Sequence, residues 1–299
     1  MSDLPIVGFI GLGAMGRPMA ARVAAAGYTL SVLDKDTQRA GAVAAELAAG
    51  WAKSGAALAA EAELIITILP TSASVDAALS GADGILAGIR PGSVLIDMTS
   101  GSPSETQRLA ARVAEAGAIM IDAPVSGGVP RAKTGELAIM VGGEAAVLAR
   151  IEPLLKSMGT SIMHTGGVGS AHAMKALNNL LSAGSFLMGI EALLIGQRFG
   201  LDPATMVDVI NASTGMSNSS QKKFKQYVVS RSFNAGFGLD LMVKDLGIAL
   251  GVARETGTPA PLSAMVREFW AAAQASLGPG QDHTAAARLL EHMAGSEIG

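Results

Sequence analysis

The chain has 299 residues, of which 49% are hydrophobic and 16% charged, and its formal net charge is −3. This length suffices for two ordinary domains, and the composition is typical of a compact, helix-rich protein rather than a disordered one. The small net charge argues against nucleic-acid binding. Without cysteine there are no disulfides or thiolate metal sites, and the spacing of the four histidines is not that of a zinc site. We therefore expect no metal.

The N-terminal residues contain no basic segment followed by an apolar stretch, so a signal peptide is not predicted and a cytoplasmic location is expected. Residues 176–196 resemble a membrane span in hydropathy. They include Asn178, Asn179 and Glu191, however, whose polar groups would be costly at mid-bilayer depth. We predict a buried core helix here and no membrane partner.

A glycine turn between a strand and a helix is the most informative motif. The apolar run from Ile6 to Ile10 leads into Gly11-Leu12-Gly13-Ala14-Met15-Gly16, and an alanine-rich helix follows. In such a turn the first glycine allows a tight bend, the second lets the backbone approach a pyrophosphate, and the third lets the helix pack on its strand. The six residues of this turn are predicted to bind a dinucleotide.

The second predicted strand, Thr29 to Leu33, ends at Asp34, close to the position expected for an acid that accepts hydrogen bonds from the adenosine ribose. This position favours NAD as the cofactor. Lys35 could instead bind a 2′-phosphate, so NADP stays open. Asp34 could also be no more than a cap for the next helix.

Short β-rich runs alternate with helical patterns up to His164, which predicts an α/β fold with an N-terminal Rossmann-type, doubly wound parallel sheet. The predicted strands cover residues 7–10, 29–33, 64–69, 94–98, 119–121, 137–141 and 161–164. Ligands bind at the carboxyl ends of such strands. Candidate cofactor contacts there are Leu69, Pro70, Thr71, Thr99 and Ser100. The hydroxyl residues among them could equally be helix N-caps.

After His164 only helical periodicity remains, broken at glycines and prolines. We therefore divide the chain into an NAD(P)-binding Rossmann domain, residues 1–164, and an all-α substrate and dimerisation domain, residues 165–299. The latter begins with a long linking helix, about 170–198, some 40 Å in length at about 1.5 Å per residue. The small residues Ala183, Gly184 and Gly189 on this helix would be buried by a second subunit.

Lys175 and Asn179 are four residues apart on that helix and share one face. Hydride transfer to a carbonyl needs a proton donor for the new alkoxide, and a lysine shielded by apolar neighbours can supply it. We predict that Lys175 is catalytic and that Asn179 binds the same oxygen or its neighbour. A solvated polar face is the competing interpretation.

Two further segments carry candidate substrate contacts. In the loop from Asp122 to Gly128, Ser126, Gly127 and Gly128 could bind a carboxylate through backbone N–H groups and a hydroxyl, although a plain turn is equally consistent. In the helical half, Phe237 precedes the pair Lys244-Asp245, which could also be a surface salt bridge.

Together the motifs from Gly8 to Met19, Asp122 to Gly128, Gly169 to Asn179 and Lys244 to Leu246 resemble the β-hydroxyacid dehydrogenase family, over nearly the whole chain. The resemblance implies that Lys175 is the catalytic lysine with Asn179 as its partner, and that Ser126, Gly127 and Gly128 bind the substrate carboxylate. It also implies that Phe237 and Asp245 lie beside the nicotinamide and the lysine, and that Lys244 and Thr99 contact the cofactor. Arg131 and the polar loop 213–220 depart from the pattern and could shape specificity.

The expected activity is hydride transfer between NAD(P) and a small 3-hydroxy acid or its semialdehyde, in a homodimer or homotetramer. An imine reductase on the same scaffold is disfavoured because that group usually differs at the lysine position. A dinucleotide-sensing module without catalysis is the alternative from another class.

Overall fold

The computed structural model describes residues 4–299. It divides into two compact units, the first ending at Lys175 and the second running from Ala176 to Gly299. The sequence-based division falls earlier, after His164. The difference lies in the first turn and a half of the long helix, where His172 makes hydrogen bonds to residues of the first unit.

The first unit is built around one sheet of nine strands. They are β1 Val7–Ile10, β2 Leu30–Leu33, β3 Gly50–Trp51, β4 Leu64–Thr67, β5 Val94–Asp97, β6 Ile119–Asp122, β7 Val125–Ser126, β8 Leu137–Gly142 and β9 Gly159–Gly166. The order is β3-β2-β1-β4-β5-β6-β8-β7, with β9 also paired to β8. This confirms the predicted doubly wound sheet, because the direction of winding reverses at β1 and β4.

The sheet is parallel from β3 to β6 and becomes antiparallel where β8 joins β6 and β7. The short strands β3 and β7 were not predicted, since two residues are too few to show an alternating pattern. The central strands β1, β4 and β5 are apolar except for Thr67 and Asp97 at their carboxyl ends, as expected for strands covered on both faces.

Among the described residues, seven α-helices accompany the sheet, together with the short 3₁₀-helix Ile85–Ala87. The α-helices are α1 Gly16–Ala25, α2 Thr37–Leu47, α3 Gly55–Glu61, α4 Ser72–Leu79, α5 Pro103–Glu115, α6 Gly128–Thr134 and α7 Ala145–Met158. Their buried residues form two clusters, one against each side of the sheet's apolar strands. Within the first cluster α1 contributes Met19, Ala20 and Val23, spaced as one helical face.

The long helix α8, Ser170–Phe199, is as long as predicted. It is the one described helix that is long and apolar enough to span a membrane by length and composition, a test that the core helix of a soluble protein also passes. The remaining helices are α9 Pro203–Asn211, the π-helix Ser220–Val229, α10 Leu239–Glu255, α11 Pro261–Leu277, the 3₁₀-helix His283–Ala286 and α12 Ala287–Ala294.

The second unit has its own core around Phe186, Phe224 and Trp270, all essentially buried. Two of the three small residues of α8 belong to this core: Ala183 is fully buried, and a side chain at Gly189 would overlap the ring of Phe224. The expectation that a second subunit buries the stripe is therefore wrong for Ala183 and Gly189, which pack inside their own unit. Gly184 is partly exposed.

Candidate active site

The three glycines of the turn after β1 occupy positions with different structural requirements. Gly11 has a positive φ of 99°, and a side chain there would overlap the carbonyl oxygen of Ile68. A side chain at Gly16 would overlap the carbonyl oxygen of Gly11. At Gly13, by contrast, an added Cβ would meet nothing within 4 Å. Two glycines are thus required by packing, and the third leaves the backbone open to a ligand.

Asp34 connects the end of β2 to this turn. Its side chain is buried, with Oδ2 accepting from the Leu12 N–H at 2.7 Å and Oδ1 accepting from the Asp36 N–H at 2.9 Å. The cap of α2 is Asp36, which accepts from the Arg39 N–H at 3.0 Å, so the capping alternative for Asp34 is wrong. Lys35 is exposed at the next position.

Arg39 is a residue at this site that sequence reasoning missed. Its guanidinium lies 3.5 Å from Oδ1 of Asp34 and 3.2 Å from Oδ2 of Asp36. The signal for it was weak, because one arginine in the first turn of a helix is ordinary. Only the fold shows that this turn begins beside the buried carboxylate.

A surface groove of about 920 Å³ begins at the glycine turn. Its lining comprises Leu12, Gly13, Ala14, Arg17, Pro18, Ala21, Arg22, Ala25, Arg39, Glu46, Val129 and Lys133. The groove shares Leu12, Gly13, Ala14 and Arg39 with the glycine turn and its surroundings, and from there it follows α1 away from the ends of the strands. Arg17 in its lining is paired with Glu46 at 2.6 Å. The features that fit a dinucleotide are therefore the open Gly13 backbone and the buried Asp34 with Arg39 beside it.

The predicted contacts after β4 and β5 do come together. The Leu69 N–H donates to Oγ1 of the buried Thr99 at 3.0 Å, whereas Thr71 caps α4 by accepting from the Ser74 N–H at 3.2 Å. Asp97, at the end of β5, is fully enclosed. Burial raises the pKa of its carboxyl group, while hydrogen bonds from Thr67 and Thr99 and the nearby His172 oppose that rise.

The first turn of α8 is fixed by a carboxylate from the sheet. Asp122, the last residue of β6, accepts from the Gly169 N–H at 2.7 Å and from the His172 N–H at 2.9 Å. The ring of His172 lies 2.7 Å from Oγ1 of Thr106 through Nδ1. Lys175, one turn further along, is 8% exposed, so the interpretation as a solvated lysine is wrong.

In the second unit, Asn179 and Asp245 form a buried pair. The amide Nδ2 of Asn179 donates to Oδ2 of Asp245 at 2.6 Å, and Nδ2 of Asn178 donates to the side-chain oxygen Oδ1 of Asn179 at 3.2 Å. The Lys244 ammonium lies 3.4 Å from Oδ1 of Asp245, an oxygen that has no hydrogen bond among the described residues. Because Asp245 is 2% exposed, Lys244 and Asp245 are not a surface salt bridge.

Phe237 is held by Asp282. Oδ2 of Asp282 accepts from the N–H groups of Gly236 at 2.7 Å and Phe237 at 3.1 Å, and the His283 N–H donates to the Phe237 carbonyl at 2.8 Å. Burial alone would raise the pKa of Asp282, but hydrogen bonds from His283 and Thr284 outweigh burial and hold this pKa well below its usual range. Asp282 was not predicted, since the sequence gives no sign of this pairing.

The candidate carboxylate loop lies at the end of β7. Ser126 pairs with Ala138 of β8, and Gly127 and Gly128 have positive φ values of 132° and 67°. A residue with a side chain adopts such values at a cost, so this backbone path requires glycine. No cluster of three or more potential metal ligands occurs among residues 4–299.

Two family models match the chain. Residues 6–166 match the NAD-binding domain of 6-phosphogluconate dehydrogenase, and residues 169–290 match the NAD-binding domain of NADP-dependent 3-hydroxyisobutyrate dehydrogenase. The chain belongs to the β-hydroxyacid dehydrogenase family. As a member it is an oxidoreductase with NAD or NADP as cofactor, which confirms the sequence-based expectation.

Individual members of the family are similar over almost their full length. The 2-(hydroxymethyl)glutarate dehydrogenase of Eubacterium barkeri is 38% identical, over 98% of this chain and 97% of that protein. The mitochondrial 3-hydroxyisobutyrate dehydrogenase of Mus musculus is 39% identical, over 90% of this chain and 82% of that protein. The structure of Mycobacterium tuberculosis 3-hydroxyisobutyrate dehydrogenase with L-serine has a TM-score of 0.89 at 32% identity. The match covers 96% of this chain and 99% of that chain.

Proposed function

We propose that this β-hydroxyacid dehydrogenase transfers a hydride between NAD(P) and a small 3-hydroxy acid or its semialdehyde, with Lys175 as the proton donor and acceptor. The observation that carries the proposal is the pair Lys175 and Asn179, one turn apart on α8 and both buried. Burying an ammonium group and an amide on one helix face is costly unless they have partners or a ligand. On a solvated helix face the same two groups would be exposed to water.

The roles of these residues follow from the atoms they offer. NAD(P), held by the glycine turn, would supply the hydride chemistry. During reduction Nζ of Lys175 gives its proton to the carbonyl oxygen of the substrate. During oxidation the same nitrogen takes the hydroxyl proton. The Asn179 amide nitrogen carries two hydrogens, one of which it gives to Asp245. We assign the other to the substrate oxygen.

The remaining assignments concern orientation. We assign the substrate carboxylate to Ser126 and to the backbone N–H groups of Gly127 and Gly128, since three donors there would fix the acid end of the substrate. We further assign Phe237 and Asp245 to the substrate side and Lys244 to the cofactor. The hydrogen bonds that Asp282 accepts from the N–H groups of Gly236 and Phe237 support a fixed role for Phe237, because they hold its backbone in one conformation.

NAD is the preferred cofactor in this proposal. A buried carboxylate at the end of β2 accepts hydrogen bonds from ribose hydroxyls and repels a 2′-phosphate. Arg39 beside Asp34 partly offsets that repulsion, which leaves use of NADP as the weaker activity. The turn residues Gly11 to Gly16 and the strand-end residues Leu69, Pro70, Thr71 and Thr99 complete the proposed cofactor contacts.

The names of the relatives favour a substrate whose hydroxymethyl group is attached to the carbon that bears the carboxylate. Both 3-hydroxyisobutyrate and 2-(hydroxymethyl)glutarate have this arrangement. We therefore propose 2-substituted 3-hydroxypropanoates, or the corresponding semialdehydes, as the substrate class. The imine reductases that share this fold are more distant, one from Pseudomonas sp. having 19% identity and a TM-score of 0.61.

The test is turnover of NADH and NADPH with a panel of short semialdehydes and glyoxylate, with Lys175→Ala beside the wild type. We expect turnover that falls by about 10³-fold in the variant, within the range for loss of a general acid. Lys156→Ala is the matched control, because Lys156 is exposed on α7. Cofactor binding with no turnover of any carbonyl would instead favour an imine reductase or a sensing module.

We also propose a homodimer or homotetramer located in the cytoplasm. Leu181, Met188 and Ile195 are 74%, 68% and 71% exposed and lie seven residues apart, so they form one apolar stripe along α8. Monomeric proteins rarely expose so much apolar surface in one stripe, and a second copy of the chain would cover it. Sedimentation of wild type beside Met188→Glu tests this: a wild-type monomer would contradict it.

A further inference from the structure

A lysine of the second unit lies against α8 one turn beyond Asn179. Nζ of Lys223 is 3.1 Å from Oγ of Ser182. Ser182 follows Asn179 by three residues and Lys175 by seven, so the three share one face of the helix. From Lys175 to Ser182 the helix rises about 10 Å, at about 1.5 Å per residue. A cation therefore stands along the same helix face as the proposed reacting groups.

The surroundings of this lysine are polar and ordered. The buried Ser219 donates to the Ser182 carbonyl at 3.4 Å, and the buried Ser220 donates to the Ser217 carbonyl at 2.9 Å. The next residue, Phe224, packs its ring on the backbone of Gly189. These contacts hold the backbone on both sides of Lys223, so its ammonium group has a defined position.

Lys223 lies in the π-helix Ser220–Val229, where the Ser230 N–H bonds to the Lys225 carbonyl at 3.3 Å, five residues back. Such turns are rare and concentrate at functional sites, because they displace side chains from ordinary helical positions. The polar loop that precedes this helix is the segment already noted as a departure from the family pattern.

We propose that Lys223 binds a second anionic group of the substrate, at the end remote from the hydroxyl. The preferred substrate is then a dianion: a 2-substituted 3-hydroxy acid whose substituent ends in a carboxylate. This inference rests on the proposed function, since Lys175 and Asn179 must mark the reacting end. A partly buried ammonium contributes more to binding of an anion than an exposed one, because solvent screens it less.

The experiment compares two substrates that differ in one terminal group. 2-(Hydroxymethyl)pentanedioate ends in a carboxylate where 2-(hydroxymethyl)pentanoate ends in a methyl group, and NAD⁺ reduction is followed with each. We expect the wild type to favour the dianion at least tenfold in kcat/KM. In Lys223→Gln that ratio should fall to near one, and in Lys223→Arg it should stay above one because the charge remains.

Lys222→Gln is the matched control, because Lys222 is the exposed neighbour in the same helix, and the ratio should keep its wild-type value. Turnover without preference in the wild type, or a preference that survives Lys223→Gln, would overturn this inference and leave the proposed function intact. No turnover of either compound or of the semialdehyde panel would overturn both. Melting temperatures of all variants show whether each one folds.

Discussion

The cofactor turn of the first unit and the polar pair of the second unit are built in opposite ways. The turn Gly11–Gly16 offers backbone groups, and its side chains are absent where the chain passes closest to itself. The pair Asn179–Asp245 consists of two buried side chains that lie 66 residues apart in the sequence, on the two helices α8 and α10. Substitutions in the turn should therefore act first on packing, whereas substitutions in the pair should act first on chemistry.

The largest expected effect is on folding, at Gly16. Gly16→Ala places a Cβ on the Gly11 carbonyl oxygen, a backbone atom that cannot move without opening the turn. We expect at least about 3 kcal/mol of destabilisation, the upper end of ordinary overpacking. Thermal and urea unfolding measure it.

Gly13→Ala is the matched control, since its Cβ would enter open space. We expect an almost unchanged melting temperature but a dissociation constant for NADH at least tenfold higher. Equal melting temperatures for the two variants would show that the turn does not divide into a packing glycine and a binding glycine.

The second effect is on turnover, at Asp245. Asp245→Ala leaves the Asn179 amide without its 2.6 Å acceptor, so we expect kcat to fall about 10²-fold, in the range of lost positioning and proton-transfer contributions. In Asp245→Asn kcat should fall less, because the amide oxygen can still accept the hydrogen bond from Asn179. Steady-state kinetics with saturating cofactor measure both variants.

Asp240 offers the control for Asp245, since it is exposed in the first turn of the same helix α10. Asp240→Ala should retain kcat within about twofold, as surface substitutions usually act weakly. A kcat for Asp245→Ala near the wild-type value would mean that the buried pair only supports the helix packing.

The third effect is on cofactor preference, at Asp34. Asp34→Ala should lower kcat/KM for NADH about tenfold more than for NADPH, the size expected for one lost charge-assisted hydrogen bond. Asp36→Ala removes the cap of α2 and should cost about 1 kcal/mol of stability without changing the ratio between cofactors. Equal losses with both cofactors in Asp34→Ala would contradict the assignment of NAD.

The smallest effect is on acid stability, at Asp76. Hydrogen bonds from Arg108 and Arg112 lower the pKa of Asp76 from 3.8 to about 2. A carboxyl group whose pKa is lowered by folding stabilises the folded state fully at pH values above its ordinary pKa of 3.8. This contribution is lost as the pH falls through about 2. Asp76→Asn should therefore be less stable than wild type at pH 7 by under about 1 kcal/mol, with a smaller difference at pH 3. Urea unfolding at both pH values measures the change.

Local patterns predicted the fold well. The strand, glycine turn and helix at residues 6–26 are contiguous, so a short stretch of sequence sufficed to predict this unit. The length of α8 followed from its unbroken helical periodicity. The antiparallel end of the sheet was missed, because β7 has two residues and its partner β8 follows only after α6.

The environment of the site could be predicted only in part. Lys175 and Asn179 are close in sequence, so their shared face followed from helical spacing. The carboxylates that position them, Asp122 and Asp245, lie 47 and 66 residues from the groups they bind. The small-residue stripe misled for the same reason: spacing showed a common face at Ala183 but not that Phe224 and Trp270 pack against it.

The hydrogen bonds that Asp122 accepts from the N–H groups of Gly169 and His172 also fix the direction in which the side chain of Lys175 leaves the helix. Each residue of an α-helix turns the next by about 100°, so one residue inserted between His172 and Lys175 would turn the lysine away from its present direction relative to Asp122. The number of residues between this anchor and the lysine is therefore as strict a requirement as the identity of the lysine itself.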